Sequence, residues 1–239
     1  MIDKKKLNLY CFSPLAMFST FLIEIAGALY IMLRYQMDTT AKIIIAMLGG
    51  LATFQLAEYM VCEGAFYFTS LDWARLGYAA ITILPPLGMH LALTIAKKKN
   101  DYLLYGAYGS AAIFVILFLF IGHGMQAEQC LGNYVIFQIA PYASLPFAAF
   151  YYLWLVITII FSWHAKKRIT NEKRKSALNW LIIGYLSFMG PTMIVYLINP
   201  ETINGIPSIM CGFAVFMALS LIVKVAPLVL HEKQIQTAK

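Results

Sequence analysis

The chain has 239 residues, of which 61% are apolar and only 12% charged. An ordinary soluble domain carries about 25% charged residues, so this composition excludes a soluble globular protein and predicts a protein that lies in a lipid bilayer. The net charge of +7 does not indicate nucleic-acid binding, because the basic residues cluster at the ends of apolar segments.

Seven segments are apolar enough to cross a bilayer, which requires about 20 residues each. In chain order they cover roughly 9–33, 43–66, 73–96, 102–122, 138–163, 177–198 and 207–230. The segments between them are short, and none is left over for a soluble domain. The sequence therefore predicts an all-α fold: one transmembrane domain over residues 1–239, built as a seven-helix bundle.

The distribution of Lys and Arg predicts the orientation of this bundle. Most of them lie in the loops after spans 1, 3 and 5 and in the C-terminal segment, whereas the opposite side carries few. Basic loops stay in the cytosol. We therefore expect a multi-pass protein of the cell inner membrane, with its N-terminus outside and its C-terminus in the cytosol.

Three ionisable residues are predicted to share one layer of the membrane. Glu24 in span 1, His90 in span 3 and Lys224 in span 7 lie about 9–13 Å from the cytosolic ends of their helices. The first and last helices of a seven-helix ring are neighbours, so Glu24 and Lys224 are expected to form an ion pair. A structural pair, a proton or ligand site, and a Lys224 side chain that reaches the cytosolic interface remain open alternatives.

A second polar group is predicted in the outer half of the membrane. Gln55, Glu58 and Cys62 lie at i, i+3 and i+7 on one face of span 2, with Tyr59 beside them. This face is expected to point into the bundle, since lipid would leave its polar atoms without partners. Span 3 offers partners for it, and the candidate ligand-binding residues are Gln55, Glu58, Tyr59, Arg75, Tyr78 and Thr82. An Arg75–Glu58 ion pair or a purely structural polar cluster are the alternatives.

The four cysteines all map to the outer half of the predicted bundle. They are Cys11, Cys62, Cys130 and Cys211. In an oxidising compartment, Cys11–Cys211 and Cys62–Cys130 are the favoured disulfide pairings. Other pairings and free thiols stay open. A four-thiolate metal site is a further alternative, but no Cys-x-x-Cys spacing supports it, and no metal ligands are assigned. His123 and Glu128, in the same loop as Cys130, leave a weak external metal site open.

Three short patches carry a resemblance to a known group of proteins. The segments CFSPLAMFS, FQLAE and SIMCGFAV resemble those of small, uncharacterised bacterial membrane proteins with seven helices, which open with Cys-Phe-Ser and have Gln-x-x-Glu-Gly in helix 2. The matching residues are Cys11, Phe12, Ser13, Gln55, Glu58, Ser208 and Cys211. Tyr59 stands where this group has glycine. The resemblance implies a bacterial membrane protein but no activity.

Two more distant likenesses concern spans 3 and 7. Trp73, Tyr78 and Pro86 resemble a pattern in the seven-helix sensor modules of some histidine kinases, although no kinase domain follows span 7. DWARLGYAAITILPPL and FMALSLIVKV resemble helices C and G of microbial rhodopsins, which implies a retinal bound to Lys224. The usual carboxylates of those helices are replaced by Tyr78 and Ser220.

The function expected from the sequence is the binding of a small ligand or ion in a polar intramembrane cavity, as in a sensor or receptor-like module. The alternatives are a small-molecule or proton-coupled transporter, a retinal-binding protein and a membrane scaffold or accessory subunit. The expected partners are the lipid bilayer, a small molecule or ion, and separate signalling or transport subunits, but no nucleic acid. No catalytic motif is present, so the sequence offers no support for an enzyme.

Overall fold

The computed structural model describes residues 14–63, 68–121, 125–130, 135–199 and 206–233. Within this part of the chain, seven helical segments are long and apolar enough to cross a membrane, which confirms the predicted number of spans. The helices are α1 (Pro14–Arg34), α2 (Thr39–Glu63), α3 (Ser70–Ala96), α4 (Asp101–Ile116), α5 (Pro141–Arg168), α6 (Glu172–Ile198) and α7 (Ile206–Leu219). A π-helical segment (Ser220–Val225) and the short helix α8 (Ala226–Val229) extend α7.

Several helices begin before the apolar spans do, because polar residues form their first turns. Before α3, the Thr69 hydroxyl accepts a hydrogen bond from the Asp72 backbone, and the Asp72 carboxylate accepts one from the Thr69 backbone. Before α6, the Asn171 side chain accepts a hydrogen bond from the backbone of Arg174. Such caps satisfy N–H groups that a helix leaves free at its start.

Helices α2 and α3 form the centre of the bundle. α3 packs against α2, α4, α5 and α6, whereas α1 packs against α2 and α7. The predicted proximity of the first and last spans is thus confirmed. Small residues let α2 and α3 approach closely, since a Cβ added at Gly77 would lie 3.0 Å from the Cβ of Ala57. α1 and α4 lie at the periphery and expose large apolar side chains, such as Leu22 and Tyr105.

Two helices contain π-helical turns. α4 continues into one at Leu117–Ile121, and α7 continues into the one at Ser220–Val225. Directly after the second, Pro227 has no N–H with which to continue the helical hydrogen-bond ladder. The Ser220 hydroxyl donates a hydrogen bond of 2.7 Å to the carbonyl of Trp180. This contact ties the π-helical segment to α6.

A two-stranded antiparallel hairpin between α4 and α5 is missing from the all-α prediction. Its strands are β1 (Met125–Cys130) and β2 (Val135–Ile139), paired with Cys130 opposite Val135. Membrane spans are identified by long apolar runs, and these strands are much shorter than such a run. The sequence analysis therefore does not predict them. The fold is therefore a helical bundle with one small hairpin at the end where α4 finishes and α5 begins.

The segment after α8 lies against the connection between α1 and α2. The backbone of Gln36 donates to the carbonyl of His231, and that of Lys233 donates to the carbonyl of Arg34. Beside them, burial and a hydrogen bond with Tyr30 raise the pKa of Tyr35 to about 12. These contacts bring the end of α1 and the end of the last helix to the same side of the bundle.

Candidate functional site

Two carboxyl groups lie in the interior of the bundle, where α1 packs against α2. Glu24 is 0% exposed and Glu58 is 1% exposed. The two groups are close enough to interact electrostatically. Counting residues along each helix predicts a depth difference of about 9 Å between them and puts them in two polar groups, which only the alternative of a proton-coupled transporter joins. The structure instead buries both where α1 packs against α2, within electrostatic range of each other, and we call them the carboxyl pair.

The directions of the two helices explain how residues at different depths meet. In a helix, the Cα–Cβ bond tilts towards the helix N-terminus. Because α1 and α2 are consecutive and antiparallel, these tilts point in opposite directions along the bundle. Glu24 leans from its level towards that of Glu58, and Glu58 leans back towards that of Glu24. These tilts reduce the difference in depth between the two carboxyl groups that is counted along the helices.

Glu24 makes few polar interactions in the part of the chain that the structure describes. There, neither of its carboxyl oxygens has a hydrogen-bond partner, and Glu58 is the one charged side chain that acts on it. Gln55, one turn before Glu58 on α2, is also buried. The site thus combines two buried acids from two helices with a nearby side-chain amide.

The residues predicted on α2 lie largely as expected. Gln55 and Glu58 face the interior, as the i, i+3 spacing predicts. Tyr59 is half-buried and packs on the ring of Phe18 from α1, with 5.7 Å between the ring centroids. Through Tyr59, α2 therefore contacts α1, in addition to its contacts with α3.

The residues predicted on α3 serve other contacts in the structure. The ring of Tyr78 packs in an aromatic group with Phe54, Phe118 and Phe147. The Thr82 hydroxyl donates to the carbonyl of Tyr78 at 2.6 Å. The guanidinium of Arg75 lies 3.6 Å from the carboxylate of Asp72, one turn earlier on α3. An Arg75–Glu58 ion pair stays a prediction, as does a role of Tyr78 and Thr82 in ligand binding.

The predicted layer of Glu24, His90 and Lys224 is not assembled into one cluster. His90 forms a hydrogen bond of 3.1 Å with the hydroxyl of Tyr108 on α4. The Lys224 ammonium lies 5.0 Å from the ring centroid of Trp180 on α6. The expected Glu24–Lys224 ion pair is wrong, because Lys224 is exposed on the outside of the bundle while Glu24 is buried.

This position of Lys224 also decides how well the chain fits a retinal. A retinal bound as a Schiff base inside the bundle requires a lysine that points inwards. In the π-helical segment, Leu221 and Val225 face the interior, and Lys224 points away from it. Lys224 also does not line the central cavity described next. The residues therefore do not fit an internal retinal on Lys224.

A cavity that could not be predicted from the sequence lies at the centre of the bundle. It has a volume of about 30 Å³, and side chains from α2, α3, α5, α6 and α7 form its walls. Its walls include the rings of Tyr151 and Tyr185 and three methionines, Met47, Met210 and Met217. No periodic polar pattern marks these residues, which read in the sequence as ordinary core positions. We call this space the central cavity.

The cysteine predictions fall outside the described side chains. Cys11 lies before the described residues, and the side chains of Cys62, Cys130 and Cys211 are likewise not described. The proposed disulfides therefore stay predictions. Among the residues that the structure describes, no group of three or more His, Cys, Asp and Glu side chains is placed to hold a metal ion.

Comparison with known proteins adds no assignment. No protein-family model matches the chain, and no curated protein is significantly similar to it in sequence. The seven apolar helices indicate a multi-pass membrane protein. The likenesses to small bacterial membrane proteins, kinase sensor modules and rhodopsins stay predictions.

Proposed function

We propose that the chain is a multi-pass protein of a bacterial inner membrane that binds and releases a small cation, the proton first of all, between Glu24 and Glu58. Its N-terminus lies outside and its C-terminus in the cytosol. One observation carries the proposal. Both carboxyl groups are buried within electrostatic range of each other, and no cationic side chain acts on Glu24 in the described part of the chain.

The energetics of buried charge support a bound cation. Burying an unpaired carboxylate costs several kcal/mol, and a second negative charge nearby adds to this cost. A proton or a small cation between the two groups lowers the negative charge beside Glu24, whose carboxyl oxygens have no hydrogen-bond partner among the described residues. Carboxylate and amide oxygens are also the ligands that hard cations prefer, and Gln55 supplies an amide beside the pair.

The charges at the helix ends support the proposed orientation. The ends of α1, α3 and α5 carry basic residues at Arg34, at Lys97–Lys99 and at Lys166–Arg168. Contact between Arg34 and Glu232 places the end of α1 beside the segment that follows α8. This end of the bundle is the basic one, which matches a cytosolic face. The carboxyl pair then lies in the membrane interior, where only a specific path gives cations access to it.

A hydrophobic carbodiimide tests the proposal in native membranes. N,N′-dicyclohexylcarbodiimide reaches carboxyl groups from the lipid and reacts with their protonated form. We expect it to label Glu24 or Glu58 at neutral pH, as mapped by peptide mass spectrometry. Labelling should decrease as the pH rises, because the bound proton leaves. Glu172, whose side chain is exposed at the start of α6, serves as the control and should stay unlabelled.

The variants Glu24→Gln and Glu58→Gln give this experiment its decisive outcomes. Each should reduce labelling of the remaining carboxyl group and change its pH dependence, because the two groups act on each other. Absence of labelling, or labelling that does not change with pH, would overturn the proposal in favour of a scaffold. Proton flux in liposomes that the same variants abolish would identify a transporter. Labelling without flux would identify a sensor.

A further inference from the structure

Lys224 lies inside the last membrane span and on the outer surface of the bundle. It belongs to the π-helical segment and precedes the end of α8 at Val229 by about 8 Å along the helix. Leu221 and Val225 of the same segment are buried, whereas Lys224 is exposed. Within the described ranges of the chain, no carboxylate forms an ion pair with it. A cation on a lipid-facing surface is costly without a counter-ion.

The contact with Trp180 shows at which level of the membrane this ammonium lies. The nitrogen of Lys224 lies 5.0 Å from the ring centroid of Trp180, which is half-buried on α6. α6 has 27 residues and is about 40 Å long, whereas the hydrocarbon core of a bilayer is about 30 Å thick. Trp180 lies about 27 Å along the helix from Ile198, where α6 ends. It therefore stands at the boundary between the hydrocarbon and the headgroups, which is a preferred level for tryptophan.

The neighbouring helix α5 repeats this arrangement at the same end of the bundle. Trp163 is exposed, and the ammonium groups of Lys166 and Lys167 lie 4.0 and 5.2 Å from its ring centroid. Lys166 also donates a hydrogen bond of 2.8 Å to the side chain of Asn179, the residue before Trp180 on α6. Cations from α5 and from the π-helical segment thus reach the same turn of α6. The positive potential at this level attracts anions.

We infer that Lys224 binds the phosphate of an anionic phospholipid from the leaflet at this end of the bundle. In the proposed orientation this is the cytosolic leaflet, but the inference does not depend on cation binding at the carboxyl pair. The phosphate supplies the counter-charge that the ammonium lacks, and the ring of Trp180 packs against the upper part of an acyl chain. Ile183 and Val223, which are exposed beside the two residues, extend this apolar contact.

A lipid fits this site better than a soluble anion does. The surface around Lys224 is apolar, so an inorganic phosphate ion gains the ammonium but no further contact, whereas a lipid also brings acyl chains. Among lipids, phosphatidylglycerol has a phosphate without a cation of its own. Phosphatidylcholine carries a quaternary ammonium group, which competes with Lys224 for the same phosphate.

Quenching of tryptophan fluorescence by brominated lipids tests this site in the full chain. Bromine atoms placed high on the acyl chains quench the tryptophans that they contact, and the difference between wild type and Trp180→Phe gives the signal of Trp180. The protein is reconstituted in mixtures of phosphatidylglycerol and phosphatidylcholine, with bromine on one lipid at a time. We expect phosphatidylglycerol to bind beside Trp180 about fivefold more strongly, since one lysine near the surface contributes about 1 kcal/mol.

Lysine variants, each paired with its own Trp180→Phe reference, give the decisive comparison. Lys224→Gln and Lys224→Met should reduce the preference to about one, whereas Lys224→Arg should keep it. Lys175→Gln is the matched control, because Lys175 is exposed at the same end of the bundle but already pairs with Glu172 at 3.2 Å. It should keep the preference. A preference that persists without Lys224, or that Lys175→Gln removes equally, would overturn the inference, because it would come from the general charge of this end.

Inorganic phosphate separates a lipid from a soluble anion at the same site. Replacing chloride by phosphate at constant ionic strength should leave the preference for phosphatidylglycerol unchanged. A preference that phosphate abolishes would overturn the inference in favour of a site for soluble anions. Equal quenching by the two brominated lipids in the wild type would show that Lys224 binds neither headgroup selectively, and this result would also overturn it.

Discussion

The polar groups that cap the helix ends differ from two polar side chains in the interior of this bundle, Glu24 and Tyr185. At the ends, Thr69 and Asp72 cap α3 reciprocally, and Asn171 caps α6. In the interior, by contrast, the carboxyl oxygens of Glu24 and the hydroxyl of Tyr185 have no hydrogen-bond partner in the part of the chain that the structure describes. The contrast is between groups that folding satisfies and groups that it does not.

This difference separates structural roles from binding roles. A cap or an exposed ion pair stabilises a helix end in its own right. An interior carboxyl or phenol without a partner lowers stability, so packing alone does not account for its presence. The proposed function gives such an interior group, Glu24, a role in binding a cation. The four predictions below test that distinction.

The largest effect is expected where Tyr185 meets Gly88. Gly88→Ala places a Cβ in the space of the phenol oxygen and should lower the free energy of unfolding by about 2–3 kcal/mol. Gly109→Ala on α4 is the control, because nothing lies within 4 Å of its added Cβ, and it should be neutral or stabilising. Unfolding in mixed micelles measures both. Adding Tyr185→Phe should restore part of the loss, and additive effects would contradict the contact.

The second largest effect is expected at the carboxyl pair, where a substitution should raise the free energy of unfolding instead of lowering it. Glu24→Met replaces a buried acid by an apolar side chain of similar length and should raise the free energy of unfolding by about 1–2 kcal/mol. Cation-dependent behaviour should disappear at the same time. Glu24→Gln keeps a polar group and should therefore raise the free energy of unfolding by less. A loss of stability in Glu24→Met would show that Glu24 has a structural partner.

A smaller effect is expected at a satisfied helix end. Asn171→Ala removes the side chain that accepts a hydrogen bond from the backbone of Arg174 and should lower stability by about 1 kcal/mol. Asn171→Ser retains a capping oxygen and should stay close to the wild type. Thermal unfolding of the three proteins measures this. Equal loss in both variants would mean that the cap does not stabilise α6.

The smallest effect is expected at the exposed pair of Arg34 and Glu232. The two side chains are about half exposed or more, and their charged atoms lie 3.0 Å apart. Exposed ion pairs of this kind contribute little to stability. Arg34→Ala should leave the unfolding midpoint unchanged within error, at low salt and at high salt. A clear loss that high salt removes would show that the pair has a structural role.

The helices could be predicted from the sequence, but the convergence of side chains could not. Long apolar runs identify the seven spans, and the i, i+3 spacing of Gln55 and Glu58 identifies the inward face of α2. Depth counted along separate helices put Glu24 and Glu58 into different layers, because it ignores the opposite tilt of their side chains. The rotation of each helix about its own axis cannot be read from the sequence either. In the structure it directs Lys224 outwards to Trp180 instead of inwards to Glu24.

The central cavity could not be predicted for a related reason. Its walls come from five helices, and each contributes apolar residues that resemble any other core position. The hydroxyl of Tyr185, one of the lining residues, packs on Gly88 across α3 and α6, and a sequence does not show which glycine faces which tyrosine. The short strands of the hairpin were missed because they lack the length of an apolar span.

The most direct test of a cation site at Glu24 and Glu58 is infrared spectroscopy of the purified protein in lipid. We expect a carbonyl band from a protonated carboxyl group at neutral pH, which weakens in Glu24→Gln and in Glu58→Gln and disappears reversibly as the pH is raised. A spectrum without this band, or with a band that neither variant nor pH changes, would contradict the account.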